Sequence, residues 1–177
     1  MMEKDLNEER FAPKEECAST PAILDSGNRR EFKTGAVRDI QEGKGRCDLL
    51  PLDVVGFVVR DDACMDEVIN EICRYAETED VTHLRLAIRY FCALRSWSVP
   101  EAMLEVSKHF EEGCRKYGER NWEQGIPESC FIDSAIRHYL KWLDSWVDEP
   151  HDRAVLWNLM CLWWTHIHIT EAETNDD

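Results

Sequence analysis

The sequence predicts an all-α fold: a helical bundle of about five helices behind an irregular N-terminal arm and a glycine-rich charged loop. Three observations carry that expectation. Apolar residues recur with a 3.6-residue period through most of the chain after Asp62. Helix start and stop signals punctuate the pattern at short intervals. Strand-like alternation is nearly absent and the connections are short, which suits helix-on-helix packing.

The elements follow in order. Residues 1–33 lack a sustained period, mix acidic runs with Ser, Thr and Pro, and read as a flexible arm. Residues 34–168 read as a single helical domain. Its opening, Thr34 to Leu52, interleaves Gly35, Gly43 and Gly45 with Arg38, Asp39, Glu42, Lys44, Arg46 and Asp48, a loop that presents charges. Leu49-Leu50-Pro51-Leu52 anchors that loop, and Val54 to Val59 is a short strand or the lead into a helix. Met65, Val68, Ile69, Ile72, Cys73 and Ala76 define a helix from Asp62 to about Glu77. Asp80 caps a second, running to about Leu94. Ser98-Val99-Pro100-Glu101 is a capping box with proline in the first turn, and it opens a third helix that stops at Gly118. A fourth helix spans Cys130 to Val147 and a fifth Pro150 to about His168. Residues 169–177 form an acidic tail.

Composition narrows the function. The 177 residues carry a formal charge of −15, which repels a nucleic-acid backbone and excludes general nucleic-acid binding. A small polyphosphate is still compatible, because a divalent cation bridges carboxylates to phosphate. No stretch is apolar for 18 consecutive residues, so no membrane span is expected. The charged N-terminus lacks a secretory leader, and the 8 cysteines are widely spaced, without zinc-knuckle pairs. They read as reduced thiols of a cytoplasmic protein.

Several charged positions exceed what a bland bundle needs. Glu105, His109, Glu112 and Lys116 lie on one stripe of the third helix, either a solvated face or a functional one. Just beyond it, Trp122 offers a stacking surface for a base and Asn121 an amide to read its edge, unless Trp122 plugs the bundle end. Asp133 and Arg137 are an i, i+4 pair with His138 beside them, and the Arg137 fork suits phosphate. Asp148-Glu149-Pro150-His151-Asp152 opens the fifth helix with more ionisable groups than a cap requires. Asn158 stands among Val155, Leu156, Trp157, Leu159 and Met160, so it is expected to be partly buried with a partner, His151 or Glu112. Carboxylates on two helices of a bundle commonly hold divalent metals, and oxygen ligands beside phosphate favour Mg²⁺ or Mn²⁺. Lys44, Arg46, Lys116 and Arg137 are the candidate phosphate cations.

These residues fall into blocks that resemble a known family. Gly35-Ala36-Val37-Arg38-Asp39 and Glu42-Gly43-Lys44-Gly45-Arg46-Cys47-Asp48-Leu49-Leu50-Pro51 resemble the opening of the phage-associated dATP/dGTP diphosphohydrolase N-terminal domain family. So do Glu112-Gly113-Cys114-Arg115-Lys116-Tyr117-Gly118 with Arg120-Asn121-Trp122, Asp133 through His138, and Asp148 through Ala154 with Trp157-Asn158-Leu159. The resemblance implies hydrolysis of dATP or dGTP to the monophosphate and pyrophosphate, and kinship with the all-α, metal-dependent MazG-like pyrophosphohydrolases. Those carry E-E-x-x-E on one helix and E-x-x-D on another. Here Glu111-Glu112 supplies the first two acids with Arg115 in the third place, and Glu149-Pro150-His151-Asp152 matches the second motif in letters.

The resulting expectation is a metal-dependent purine deoxynucleoside triphosphate pyrophosphohydrolase. Its metal ligands would be Glu111, Glu112, Glu149 and Asp152, and its catalytic residues Glu112, Glu149 and His151. Lys44, Arg46, Lys116, Tyr117, Asn121, Trp122, Arg137, His138 and Asn158 would bind substrate. The partner is a purine deoxynucleotide, and homo-oligomerisation is left open. The alternatives are a non-catalytic nucleotide-binding or regulatory module and a helical protein-interaction domain.

Overall fold

The structure, a computed structural model, describes residues 25–59 and 66–170. The expected arm up to residue 24, Cys17, Cys64, Met65 and the acidic tail from residue 171 on lie outside the described residues. The fold is an all-α bundle with one small sheet. Strands β1 (Arg29–Glu31) and β2 (Val37–Asp39) form an antiparallel hairpin in which Arg30 faces Arg38. Sequence reading put Arg29–Glu31 in the arm, because three residues are too few to show a period. The turn between the strands closes through Phe32 N–H to the Ala36 carbonyl (2.9 Å), with Gly35 at φ +87°. A Cβ at Gly35 would lie 3.3 Å from Gln124 Oε1, so glycine also permits the hairpin to approach the helices.

Six helices follow. Helix α1 (Leu52–Val58) resolves the strand-or-helix ambiguity at Val54–Val59 in favour of helix. Helix α2 (Glu67–Thr78) begins at Asp66, whose carboxylate accepts from Ile69 N–H at 3.0 Å. Helix α3 (Val81–Leu94) is capped by Asp80, as its sequence predicts, through Thr82 N–H at 2.8 Å. Helix α4 (Val99–Tyr117) is capped by Ser98 and stops at Gly118, φ +97°. A 3₁₀ turn, Asn121–Gln124, leads to α5 (Glu128–Leu143) and then α6 (His151–Thr165), which ends in a wider turn, His166–Thr170. The expected fourth helix began two residues late and ran four too far. Ser145 adopts φ +59° after Leu143, a left-handed turn that no period announces.

Helix α6 is the central element. Ala154, Val155, Leu156, Leu159, Cys161 and Leu162 are all buried, so it is apolar on every side and packs against α3, α4 and α5. Phe91, Phe131, Tyr75 and Tyr139 fill the spaces between helices. The buried carboxylate of Asp66 also accepts the Tyr139 hydroxyl at 2.8 Å, joining the start of α2 to α5. Among the described residues Cys47, Cys73, Cys92, Cys114, Cys130 and Cys161 are free cysteines. Among the described residues no helix is long and apolar enough to cross a membrane.

Candidate active site

Two buried polar side chains aim the hairpin and the glycine loop at α5 and α6. Asn121, buried, accepts from Val37 N–H (2.8 Å) and donates to the Val37 carbonyl (2.8 Å), acting as a one-residue extension of the sheet. Asp133, buried on α5, accepts from Cys47 N–H (2.6 Å), Gln41 Nε2 (2.8 Å) and Arg137 Nη1 (2.6 Å), which pins the charged loop to the helix. Between hairpin, loop, α4, α5 and α6 lies a cavity of about 700 Å³. Its charged lining consists of Arg30, Arg38, Lys44, Lys116, Arg137 and Lys141 against Asp25, Asp39, Asp133 and Glu149. In a chain of net charge −15, this is a pocket where cations outnumber carboxylates.

Arg38 is the unusual member. Alternation along β2 turns it inward, where Nη2 donates to Asn158 Oδ1 (3.0 Å) and Ser134 Oγ (3.3 Å). Its guanidinium lies over Phe131 and Trp157, 5.2 and 5.8 Å from the ring centroids. Nη1 is buried without a hydrogen-bond partner, and among the described residues no carboxylate pairs with it. Burial pushes its pKa down from the usual guanidinium value. A second guanidinium of the cavity, Arg30, also has a buried, unpartnered Nε. Asn158 is buried as expected, but its partners are Arg38 and the Ala154 carbonyl (2.8 Å) rather than His151 or Glu112.

The other cations are partly neutralised. Lys44 reaches Asp39 at 2.7 Å, and the Lys116 ammonium, its side chain 7% exposed, lies 3.8 Å from Asp39 and 3.9 Å from Asp25. Burial lowers the Lys116 pKa, opposed by Asp39. Burial raises Asp39, but hydrogen bonds from Lys44 and Ser26 outweigh it and hold the carboxyl below its usual value.

At the α5–α6 corner, three potential ligand atoms converge. His138 Nδ1 lies 2.9 Å from His151 Nδ1 and 3.5 Å from Glu149 Oε1, and His151 Nδ1 lies 3.7 Å from the same oxygen. His151 Nε2 lies 2.7 Å from Asp148 Oδ1, and Lys141 Nζ donates to Asp148 Oδ2 at 3.0 Å. Burial drives the His138 pKa well below the ordinary imidazole value, and the charge of Arg137 adds to it. His138 and Glu149 line the cavity, while His151 is 2% exposed behind them.

The stripe on α4 faces inward rather than to solvent. His109 is buried, and Glu105 accepts from Arg153 Nη2 of α6 at 2.7 Å. Of the expected substrate-binding residues, Lys44, Lys116, Tyr117, Asn121, Arg137, His138 and Asn158 line the cavity. Asn121 uses its amide on Val37, so its role there is to hold the hairpin. Arg46 and Trp122 do not line it: Arg46 pairs with Asp48, and Trp122 packs edge-on against Phe110 and Trp164, 5.5 and 4.9 Å between centroids. The expected metal set does not assemble either. Glu111 is exposed beside Arg115, Asp152 turns to Arg95 at 2.8 Å, and Glu112 is half-buried with Oε2 unpartnered. Among the described residues, the group of His, Cys, Asp or Glu ligand atoms within 4.8 Å of one another is His138, Glu149 and His151. The reason is helical rotation: on α4 Glu111 points to solvent beside Arg115, and in the first turn of α6 Asp152 points to Arg95.

Sequence reasoning did not single out Arg38, Arg30 or Lys141 as site residues. Arg38 carried one available signal, its place in a glycine-flanked charged block, but pairing across a three-residue hairpin decides which way it points.

A family profile described as dATP/dGTP diphosphohydrolase, N-terminal, matches residues 81–176, more than half of the chain. The matched segment spans α3 to α6 and so includes Lys116, Arg137, His138, Glu149, His151 and Asn158, while Arg38 and Lys44 precede it. Comparison with curated proteins and with solved structures gave no match. On that profile, and with the α4–α6 side of the cavity inside it, the chain belongs to the dATP/dGTP diphosphohydrolase N-terminal domain family.

Proposed function

We propose that the chain hydrolyses a purine deoxynucleoside triphosphate to the monophosphate and pyrophosphate in this cavity, with a divalent metal ion. The observation that carries the reading is Arg38, a half-buried guanidinium with an unpartnered Nη1 and no carboxylate partner among the described residues, on the wall of a cation-rich cavity in an acidic chain. An unpaired buried charge is unfavourable for folding, and a bound anion relieves it. A guanidinium matches two phosphate oxygens at once.

The residues divide the work. Arg38, with Lys116 and Arg137, holds the phosphates, and Lys44 on the glycine loop closes over them. Tyr117 and Trp157 supply aromatic walls for the purine. Asp39 and Asp133 pair with Lys44 and Arg137, and Glu149, which faces two imidazoles, is the carboxylate of the reacting end. A divalent ion, when bound, polarises the phosphoryl oxygens and lowers the pKa of water. Attack by water on the α-phosphorus would break its bond to the bridging oxygen, so that the monophosphate keeps the water oxygen, pyrophosphate leaves with the bridging oxygen, and the water's proton passes to solvent.

The test is incubation of the purified chain with each of the four deoxynucleoside triphosphates and Mg²⁺, Mn²⁺ or Zn²⁺, with products resolved by anion exchange. Appearance of dAMP or dGMP with pyrophosphate is expected. Arg38→Ala should lower kcat/KM about 10²-fold, as does loss of one charge-stabilising donor, and Arg38→Lys should recover only part. Absence of product with every metal would defeat the enzyme reading. Nucleotide binding without turnover would establish a non-catalytic module in its place.

A further inference from the structure

The corner of His138, Glu149 and His151 has the properties of a coordination site. Metal–ligand bonds of about 2.0–2.2 Å place neighbouring ligand atoms about 2.9–3.5 Å apart in tetrahedral or octahedral arrangements. The three separations here, 2.9, 3.5 and 3.7 Å, fall on or close to that range. A hydrogen bond between the two rings accounts for the first separation alone. It does not account for one carboxylate oxygen lying near both Nδ1 atoms. Asp148 supplies the second observation. A carboxylate facing His151 Nε2 at 2.7 Å accepts the N–H there, which leaves the Nδ1 lone pair directed at His138 and Glu149. Carboxylates that orient the far nitrogen of a ligating imidazole are the common support of protein metal sites. Lys141 in turn holds Asp148.

We infer that His138 Nδ1, His151 Nδ1 and Glu149 Oε1 bind one first-row divalent transition-metal ion, with Asp148 as the positioning residue. Two imidazoles and one carboxylate favour Zn²⁺, Co²⁺ or Mn²⁺ over Mg²⁺, which takes oxygen ligands. His138 and Glu149 line the cavity and His151 lies behind them, so an ion held by the three would sit at the wall of the cavity that Arg137 and Lys141 also line. This replaces the four-carboxylate Mg²⁺ set with a nitrogen-rich one. Its use in nucleotide hydrolysis rests on the function proposed above; the ligand assignment does not.

The test is a titration of chelator-treated full chain with Co²⁺, followed by visible absorption, and with Zn²⁺, Mn²⁺ and Mg²⁺ by calorimetry. One Co²⁺ per chain is expected, with d–d bands of a nitrogen- and oxygen-ligated ion and at least tenfold weaker binding of Mg²⁺. Glu149→Gln and His138→Ala should weaken Co²⁺ binding at least tenfold, and Asp148→Asn about 10–100-fold. Circular dichroism of each variant identifies those that fold, and Glu149→Gln, nearly isosteric, keeps the test open where His138→Ala does not fold. No Co²⁺ binding, binding undiminished in the folded variants, or a thiolate charge-transfer band placing the ion on cysteine would each overturn the assignment. Assay of the four nucleotides separates the two readings. Metal binding without turnover defeats the hydrolase alone. Turnover of a nucleotide together with no Co²⁺ binding, or with Co²⁺ binding undiminished in the folded variants, defeats the metal site alone.

Discussion

His109 is buried on the inner stripe of α4 with its ring 5.7 Å from Trp157, and its Nδ1 has no hydrogen-bond partner. Burial pushes its pKa down to about 3 from an ordinary 6.5, and the charges of Arg153, Arg38 and Lys116 push the same way. Between those two values the unfolded chain takes up a proton that the folded chain refuses, so stability falls as pH drops below 6.5. The slope approaches about 1.4 kcal/mol per pH unit. Urea unfolding at pH 7 and pH 5 checks this: the loss between them should be smaller by about 2 kcal/mol in His109→Gln than in the unaltered chain. An equal loss in both would show that folding does not lower the proton affinity of His109.

At the scale of elements, caps and apolar periods made the helices legible, and contacts between elements did not. Asp80, Ser98 and Gly118 mark ends that need only neighbouring residues. Asp66 is different, because its carboxylate serves both Ile69 N–H on its own helix and the Tyr139 hydroxyl on α5. Asp66→Ala should therefore cost about 2–4 kcal/mol, the sum of a lost cap and a lost buried hydrogen bond. Asp66→Asn, which keeps an acceptor, should cost less than half of that in the same urea titration. The charged loop behaves likewise. Its glycines announce a loop, but its position follows from Asp133, which gathers Cys47 N–H, Gln41 and Arg137 from three places in the chain. Lys44 thus reaches the cavity, whereas Arg46, two residues on, is held outside by Asp48.

At the scale of the molecule, the acidic chain keeps its cations where an anion can use them. Arg38 lies over two aromatic rings beside two neutral side chains, so its charge is carried at the expense of stability. Arg38→Met should raise the stability of the free chain by about 1 kcal/mol while removing the response to anions. Inorganic pyrophosphate at about 100 times its Kd should raise the melting temperature of the unaltered chain by about 5–10 °C, equivalent to about 2.7 kcal/mol. Scanning calorimetry with and without pyrophosphate reads both effects. A shift retained in Arg38→Met would place the anion elsewhere.

The helical class, the capping signals, the burial of Asn158 and the family membership could all be read before any coordinates, because each depends on residues close in sequence or on blocks in fixed order. Arg38 and the ligand triad could not. A guanidinium on a three-residue strand faces α5 and α6 only because Asn121, more than eighty positions later, clamps Val37. His138 and His151 meet because α5 and α6 pack side by side across a left-handed turn at Ser145. Glu111 and Asp152 match a motif in letters, yet helical rotation turns one to solvent and the other to Arg95. Local chemistry specifies which segments coil and where they stop; the directions in which their charged side chains converge are set by long-range packing.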